Sequence, residues 1–441
     1  MKGLPGLWMA GGLFVLASCV LHAEQFVWRD SGPGLAVASF TNQGPVLYTV
    51  VRVDRSRFQK DLALTTTLGS NTVVGLETLT GQLAALPPEL GTPVAAINAD
   101  FFMMAGAAKG DPRGLQILRG ELVSAPTGPA AFWQDARGNF HAQRVSSGLT
   151  VSWRDGEAHR AGLNEQMGTN SLVLFTPRMG TLYPYPPKSS RPSTNSVGTS
   201  LTRSIGTRTN TVRTNPARTS TSSRRGTNGP PQPGPIRPPG GREYVLARHD
   251  SGPWLPLKLG HTCHAVVRAS MDGFTNVEPD TMVLSLSSNL LQKVPELTIG
   301  TIVTIHAATE PVLTGVQTAL GTGPMLVVDG KVQQVSGYMT EALHPRSALG
   351  WDDKYLYMAV ADGRQPGLSI GIPLASMADF MGQLGCAKAI NLDGGLSTVL
   401  MLNGKIVNRP SMGAKADKPG RERDIANAVV ILRKPPEDRE D

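Results

Sequence analysis

The sequence predicts an α+β fold, a single β-rich mixed α/β domain interrupted by a disordered insertion. Three observations carry this. Short apolar runs rich in β-branched and aromatic residues recur along the chain, separated by turn residues. One stretch near the C-terminal end has helical spacing instead. One long segment, 186–241, has no core-forming pattern at all. The chain has 441 residues and is 40% hydrophobic, enough for one large domain or two ordinary ones, and its 49 glycines and 34 prolines imply many turns.

Taken in order, Leu47 to Val53 reads as a strand, and Val94 to Ile97 as a second that runs into Asn98-Ala99-Asp100-Phe101-Phe102. Arg119-Gly120, Asp329-Gly330 and Asn403-Gly404 sit between apolar residues as hairpin turns. Tyr355 to Val360 is a strand ending at Asp362-Gly363-Arg364. Between Ile372 and Leu384, apolar residues at 374, 377, 378, 381 and 384 give the period of a helix. Ala389-Ile390 returns as a strand and delivers Asn391-Leu392-Asp393-Gly394-Gly395.

The formal charge of +8 belongs to one segment. Lys188 and eight arginines lie within 186–241 with no acid among them, which leaves −1 for the rest of the chain. The segment is Ser, Thr, Arg, Gly, Pro and Asn with isolated apolar residues, and it cannot bury enough surface to offset its ordering entropy. It is expected to be a solvated surface insertion, with contact to an anionic envelope polymer as its functional alternative. It holds no Phe, Tyr or Trp, so it offers no base-stacking platform and no specific nucleic-acid partner is expected.

The N-terminus reads as an export signal over 1–23, with Lys2 before an apolar run from Leu7 to Ala17. That run is too short for a permanent membrane span. Two processing sites fit. Leu16-Ala17-Ser18-Cys19 has the form of a lipobox, which would leave a lipid anchor on Cys19; the other is cleavage after Ala23. The expected location is outside the cytoplasm, as a periplasmic, envelope-anchored or secreted protein, with membrane contact only through such an anchor. The remaining divisions are 24–185 and 242–435, the two parts of one domain, and a charged tail at 436–441. Cys263 and Cys386 are read as small buried hydrophobes in preference to a disulfide, and two lone cysteines give no zinc spacing.

Three carboxylates, Asp100, Asp362 and Asp393, each follow a short apolar strand and precede glycine or aromatic residues. Strand ends feeding glycine-rich loops are where polar side chains converge on a cleft. A plain turn is the competing reading for any Asp-Gly and is accepted for Asp329-Gly330; the long small-residue loop through Ser397-Thr398 weakens it for Asp393. A cationic group, His344-Pro345-Arg346-Ser347 with Arg364, lies within fifty residues of Asp362 and Asp393. Arginine's planar fork suits a pair of phosphate oxygens, and histidine can donate beside it, although each alone is more often a structural partner.

In their order and spacing these stretches resemble the phosphodiester glycosidase family. The resemblance is carried by Asn98 to Phe102, Gly114-Leu115 with Gly120-Glu121, and Gly321-Thr322-Gly323-Pro324. It continues through His344 to Gly350, Asp362-Gly363-Arg364 with Gly367-Leu368-Ser369, Asn391 to Gly395, Asn408 with Pro410-Ser411, and Glu422-Arg423 with Ala426-Asn427-Ala428. It spans 45–185 and 243–432. Leu396 stands where the family usually has a third glycine, which implies a narrower sugar pocket or a shifted loop. The resemblance implies a β-rich domain of phosphodiester-glycosidase type that cleaves a sugar-1-phosphodiester to free sugar and phosphomonoester, with no cofactor and no metal. The resemblance supplies these positions, and the chemistry of the residues assigns the parts: Asp393 first and Asp100 second as the carboxylate at the sugar, Asp362 as a holder of Arg364 or of a sugar hydroxyl, and Arg346, Arg364 and His344 as the phosphate clamp. Asn98, Asn391, Ser347, Ser397, Gly363, Gly394 and Gly395 would line the substrate site. Two other readings compete: a non-catalytic envelope glycan-binding protein, and a metal-dependent phosphodiesterase. The latter would want His/Asp ligand pairs at close spacing, and the eight histidines are scattered.

Overall fold

The computed structural model describes residues 26–42, 44–106, 108–154, 156–180, 240–273, 275–337, 339–415 and 418–436. The expected signal, with Cys19, therefore lies outside the described residues, as do 186–239 of the expected insertion and nearly all of the charged tail.

Strands outweigh helices, as the sequence predicts. An eight-stranded antiparallel sheet has at its centre Val46–Asp54, Tyr355–Ala361, Arg346–Trp351, Lys388–Asn391 and Met325–Val328, in that order. A five-stranded sheet places Thr92–Asn98 between Leu400–Leu402 and Ala428–Arg433. A second five-stranded sheet is centred on Thr318–Thr322. The inward faces of these three sheets share one apolar core, in which Val51, Ile97, Phe132, Leu349, Ile390 and Val429 are buried. On the outer face of the large sheet lies the helix Leu374–Gln383. Leu374, Met377, Ala378, Met381 and Leu384, the residues whose spacing predicts it, are all buried there. Burial of each large side chain contributes roughly 1.5–3 kcal/mol, so tertiary packing rather than intrinsic propensity holds this three-turn helix.

A further eight-stranded sheet contains Leu172–Phe175 and Arg242–Arg248, the two strands that flank the expected insertion. Both pair with Thr281–Leu286, so the chain leaves and re-enters the same sheet. Each of the two largest apolar clusters draws on residues from both sides of 186–241.

The three expected hairpins form. Arg119, Asp329 and Asn403 have φ of 50°, 48° and 48°, and the glycines after them 78°, 74° and 73°. Two consecutive left-handed residues are what a type I′ turn requires, and they match the twist of the flanking strands. Cys263 and Cys386 are free and buried in different apolar clusters, in agreement with the small-hydrophobe reading. Among the described residues no helix is long and apolar enough to cross a membrane.

Candidate active site

Sheet topology gathers the expected residues at strand ends. Asn98 ends Thr92–Asn98, Asn391 ends Lys388–Asn391, Arg346 opens Arg346–Trp351, and Asp362 directly follows Tyr355–Ala361. The register sets Arg346 opposite Ala361 and Asn391 opposite Ala348, so these ends lie at the same edge of the large sheet. Asn98 then ties the two sheets together. Its amide donates to the Asp393 carbonyl (2.5 Å), and its carbonyl oxygen accepts from Ser347 Oγ (2.8 Å) and the Val399 N–H (3.1 Å). The Asp393 N–H donates to the Ala99 carbonyl (2.8 Å). Asn98 and Ser347, expected to line the substrate site, thus hold the Asp393 loop in place.

Two carboxyl groups face one another electrostatically at this junction. Asp100 is buried; its Oδ1 accepts from the Phe101 N–H and its Oδ2 from the Gly114 N–H, each at 2.7 Å. Burial pushes its pKa up to about 7 against those two hydrogen bonds, and the charge of Asp393 adds to the rise. The close approach depends on glycine. A Cβ on Gly114 would lie 2.8 Å from Asp100 Oδ2, and one on Gly321 would overlap both that oxygen and Gly114. Asp393 retains some exposure, and Ser397 Oγ donates to its Oδ2 at 2.5 Å. Burial raises its pKa to about 6, opposed first by Ser397 and then by the Arg423 cation.

Asp362 is placed differently from expectation. It is 1% exposed and accepts from Asn408 Nδ2 and the Arg409 N–H, both at 2.9 Å. Arg364 is not its partner, and both oxygens bind the 408–409 loop. The carboxyl braces that loop.

The cations divide in the same way. Arg346 is buried and donates through Nε to the Ile372 carbonyl (3.1 Å) and through Nη2 to the carbonyls of Met339, Thr340 and Ala342. Only Nη1 lacks an acceptor, so the two-pronged face expected for phosphate is occupied by backbone. Its contacts pin the 339–342 turn that leads to His344. Arg364 is exposed, and its Nη2 donates to His344 Nδ1 at 3.2 Å. A guanidinium only donates, so Nδ1 accepts and the ring proton sits on Nε2, which is buried without a protein acceptor. Burial, with the Arg364 and Arg346 cations, lowers the His344 pKa, which keeps the imidazole neutral at pH 7. The Arg364 guanidinium also lies over Gly395: a Cβ there would sit 3.1 Å from Nη2. Gly395 has φ +63° and Gly394 would meet the Pro345 carbonyl, so both glycines serve close backbone packing. Gly363 does the same against Pro345 and Gly371. Asn391 is buried, with its side-chain carbonyl oxygen unpartnered.

Two arginines outside the expected set act on these carboxyls. Arg423 is partly buried against the ring of Phe102 (4.9 Å to the centroid), and the Asp393 carboxylate acts on it. Arg113 is exposed, its guanidinium makes no hydrogen bond or ion pair among the described residues, and it lowers the pKa of both Asp100 and Asp393. Arg423 stands in the Glu422-Arg423 motif already noted, and Arg113 in the Asp-Pro-Arg run before Gly114. Beside Asp100 opens a cleft of about 520 Å³, walled by Phe101, Arg113, Thr322 and Pro324. Of the expected residues, only Asp100 lines it. Among the described residues, no group of three or more His, Cys, Asp or Glu has an arrangement that could hold a metal ion.

This geometry sits within a recognisable sequence context. Residues 261–432 match the phosphodiester glycosidase family. The match covers His344, Arg346, Asp362, Arg364, Asp393 and Arg423; Asn98 and Asp100 lie before it. The resemblance read from the motifs thus holds over 261–432. No curated protein matches the sequence. Among solved structures, a hypothetical protein from Synechocystis superposes with a TM-score of 0.62 at 18% identity, over 90% of this chain and 62% of that one. This chain therefore spans less than two thirds of that protein's length. A protein from Burkholderia pseudomallei named a putative exported protein superposes at 0.59 with 20% identity, over 89% of this chain and 75% of that one. The zebrafish N-acetylglucosamine-1-phosphodiester alpha-N-acetylglucosaminidase catalytic domain gives 0.41 at 13% identity, over 91% and 85%. The first two likenesses establish the shared fold. The third is too loose to align site residues.

Proposed function

We propose that the chain hydrolyses the glycosidic C–O bond of a sugar-1-phosphodiester in envelope or extracellular glycans, releasing free sugar and a phosphomonoester. One observation carries the reading: the coupled carboxyls Asp100 and Asp393 share a junction with Arg113, Arg364 and Arg423. Asp393, ionised above about pH 6, is the carboxylate that takes a proton from water or attacks the anomeric carbon itself. The bond from that carbon to the phosphate oxygen breaks with its electron pair on phosphate. A phosphomonoester has a second pKa near 6, so it leaves without needing a strong general acid. Stabilising its developing charge falls to Arg423 and Arg364, helped by the Nε2–H of His344. Arg346 acts at one remove, by fixing the turn before His344. Asp100, with both oxygens bound by backbone N–H groups, stands as the second carboxyl of the junction, its own pKa raised by the charge of Asp393.

The test is a panel of sugar-1-phosphodiesters, wall teichoic fragments included, with the wild type and Asp393→Asn. Free reducing sugar from the wild type and its loss in a folded Asp393→Asn variant are expected. A folded wild type that retains glycan yet releases no sugar would replace the hydrolase with a glycan-binding protein.

A further inference from the structure

We propose that Asp111 and Glu165 form the wall of the sugar-ring subsite in the cleft beside Asp100, and that they select the sugar by binding its hydroxyl groups. The inference rests on the hydrolase reading and specifies which end of the substrate lies where.

Both residues line the cleft with Asp100. Asp111 is 6% exposed, and neither of its carboxyl oxygens has a hydrogen-bond partner; Oδ1 is sealed from solvent. Buried polar groups are nearly always paired, because an unpaired one carries the full cost of its lost hydration. Among the described residues Glu165 likewise has no hydrogen-bond or ion-pair partner, although Arg113 lines the same cleft. Neither carboxyl therefore gives the described fold a hydrogen bond or an ion pair.

It does hold them in place. The Met103 N–H donates to the Asp111 carbonyl (2.9 Å), the Asp111 N–H to the Ala108 carbonyl (3.0 Å), and the Arg113 N–H to the Phe101 carbonyl (2.8 Å). The loop carrying Asp111 is thus closed by its own backbone. Glu165 follows Asn164, a buried residue at φ +52° whose side chain binds the Thr176 N–H (2.8 Å) and the Val123 carbonyl (2.8 Å). An asparagine locked in the left-handed region fixes the direction of the next residue.

The chemistry of the wall matches a sugar. Phe101, Pro129 and Pro324 give the cleft an apolar side suited to the C–H face of a pyranose. Burial, and then the charges of Glu165 and Asp100, push the Asp111 pKa up to about 8, so Asp111 is a hydroxyl donor beside an acceptor carboxylate. A donor and an acceptor side by side meet two neighbouring hydroxyls of a ring.

The experiment measures kcat and KM on a sugar-1-phosphodiester for Asp111→Ala, Asp111→Asn and Glu165→Gln. It also measures binding of free hexoses and N-acetylhexosamines by calorimetry, with folding checked by thermal melts. Asp111→Ala should raise KM and the free-sugar Kd by about 10- to 100-fold with kcat within about 3-fold. Asp111→Asn should recover most of the loss, because its amide donates from the same place. Unchanged KM and sugar affinity in folded Asp111→Ala and Glu165→Gln overturn the proposal, and so does a fall in kcat with KM intact. Should Asp111→Ala fail to fold, Glu165→Gln on the more exposed residue decides. Absence of turnover in the wild type defeats the hydrolase reading alone, since sugar binding and its loss on Asp111→Ala are still read by calorimetry. A wild type that binds none of the sugars overturns the subsite.

Discussion

Removing one hydroxyl should move the pH dependence of the reaction. Ser397 is 1% exposed, and its Oγ donates to Asp393 Oδ2 at 2.5 Å. It is the strongest influence holding the Asp393 pKa down against burial. A hydrogen bond to a charged group contributes about 1.5–3 kcal/mol, and 1.36 kcal/mol is tenfold in a proton equilibrium. Asp393 is partly exposed, so the lower end applies and Ser397→Ala should favour its protonated form by roughly tenfold. The sign follows directly. A base must be ionised to act, activity is lost as pH falls through about 6, and a higher pKa moves that limb to higher pH. Measured as kcat/KM against pH, the variant should fall about fivefold near pH 6 and about tenfold near pH 5, and stay within about 3-fold of wild type near pH 9. The limb belongs to the coupled pair, since Asp393 also raises the Asp100 pKa. An unmoved limb would refute the assignment of Asp393 as the titrating base. A uniform loss at every pH would make Ser397 a loop support and nothing more.

Arg423→Gln should lower kcat on a phosphodiester by on the order of 10²–10³-fold, and much less on an aryl glycoside whose leaving group needs no cation. Arg346→Lys, by contrast, should lower turnover of both substrates equally and lower the Tm, because buried carbonyls lose a donor that lysine cannot reproduce. Asp111→Asn should raise Tm by a few degrees near pH 7. The wild-type carboxyl has a folded pKa above its unfolded one, so its stability contribution is complete below about pH 4 and lost as pH rises toward about 8. The gain should vanish at acidic pH in the same melts. Removing residues 186–239 should leave turnover of a small soluble substrate unchanged while binding to an anionic polymer falls and its salt dependence flattens, both read by filter binding across a salt series.

Local chemistry explains what could be read from the sequence. Asn403-Gly404 announces a turn because few residues adopt two successive positive φ angles, and the structure places both there. The spacing of Met377 and Met381 announces a helix because only one face can be buried. Asp100 and Asp393 stand out as candidates because each follows a short strand, the first before two aromatic residues and the second before a pair of glycines. Arg346 and Asp362 show where that reasoning stops. An arginine after proline looks the same whether it faces phosphate or the carbonyls of Met339 and Ala342, and an Asp-Gly looks the same whether it faces substrate or the Arg409 N–H. Arg113, Arg423, Asp111 and Glu165 are single residues in loops. Only the convergence of sheets far apart in sequence brings Arg113, Asp111 and Glu165 to one cleft and Arg423 to the Asp393 carboxylate.

The central claim is the bond that breaks. Hydrolysis of a sugar-1-phosphodiester in heavy-oxygen water, with both products analysed by mass spectrometry, reads it directly. Attack at the anomeric carbon, with Asp393 as the carboxylate and the arginines holding the departing phosphate, places the label in the free sugar. Label in the phosphomonoester would mean P–O cleavage and would contradict the account.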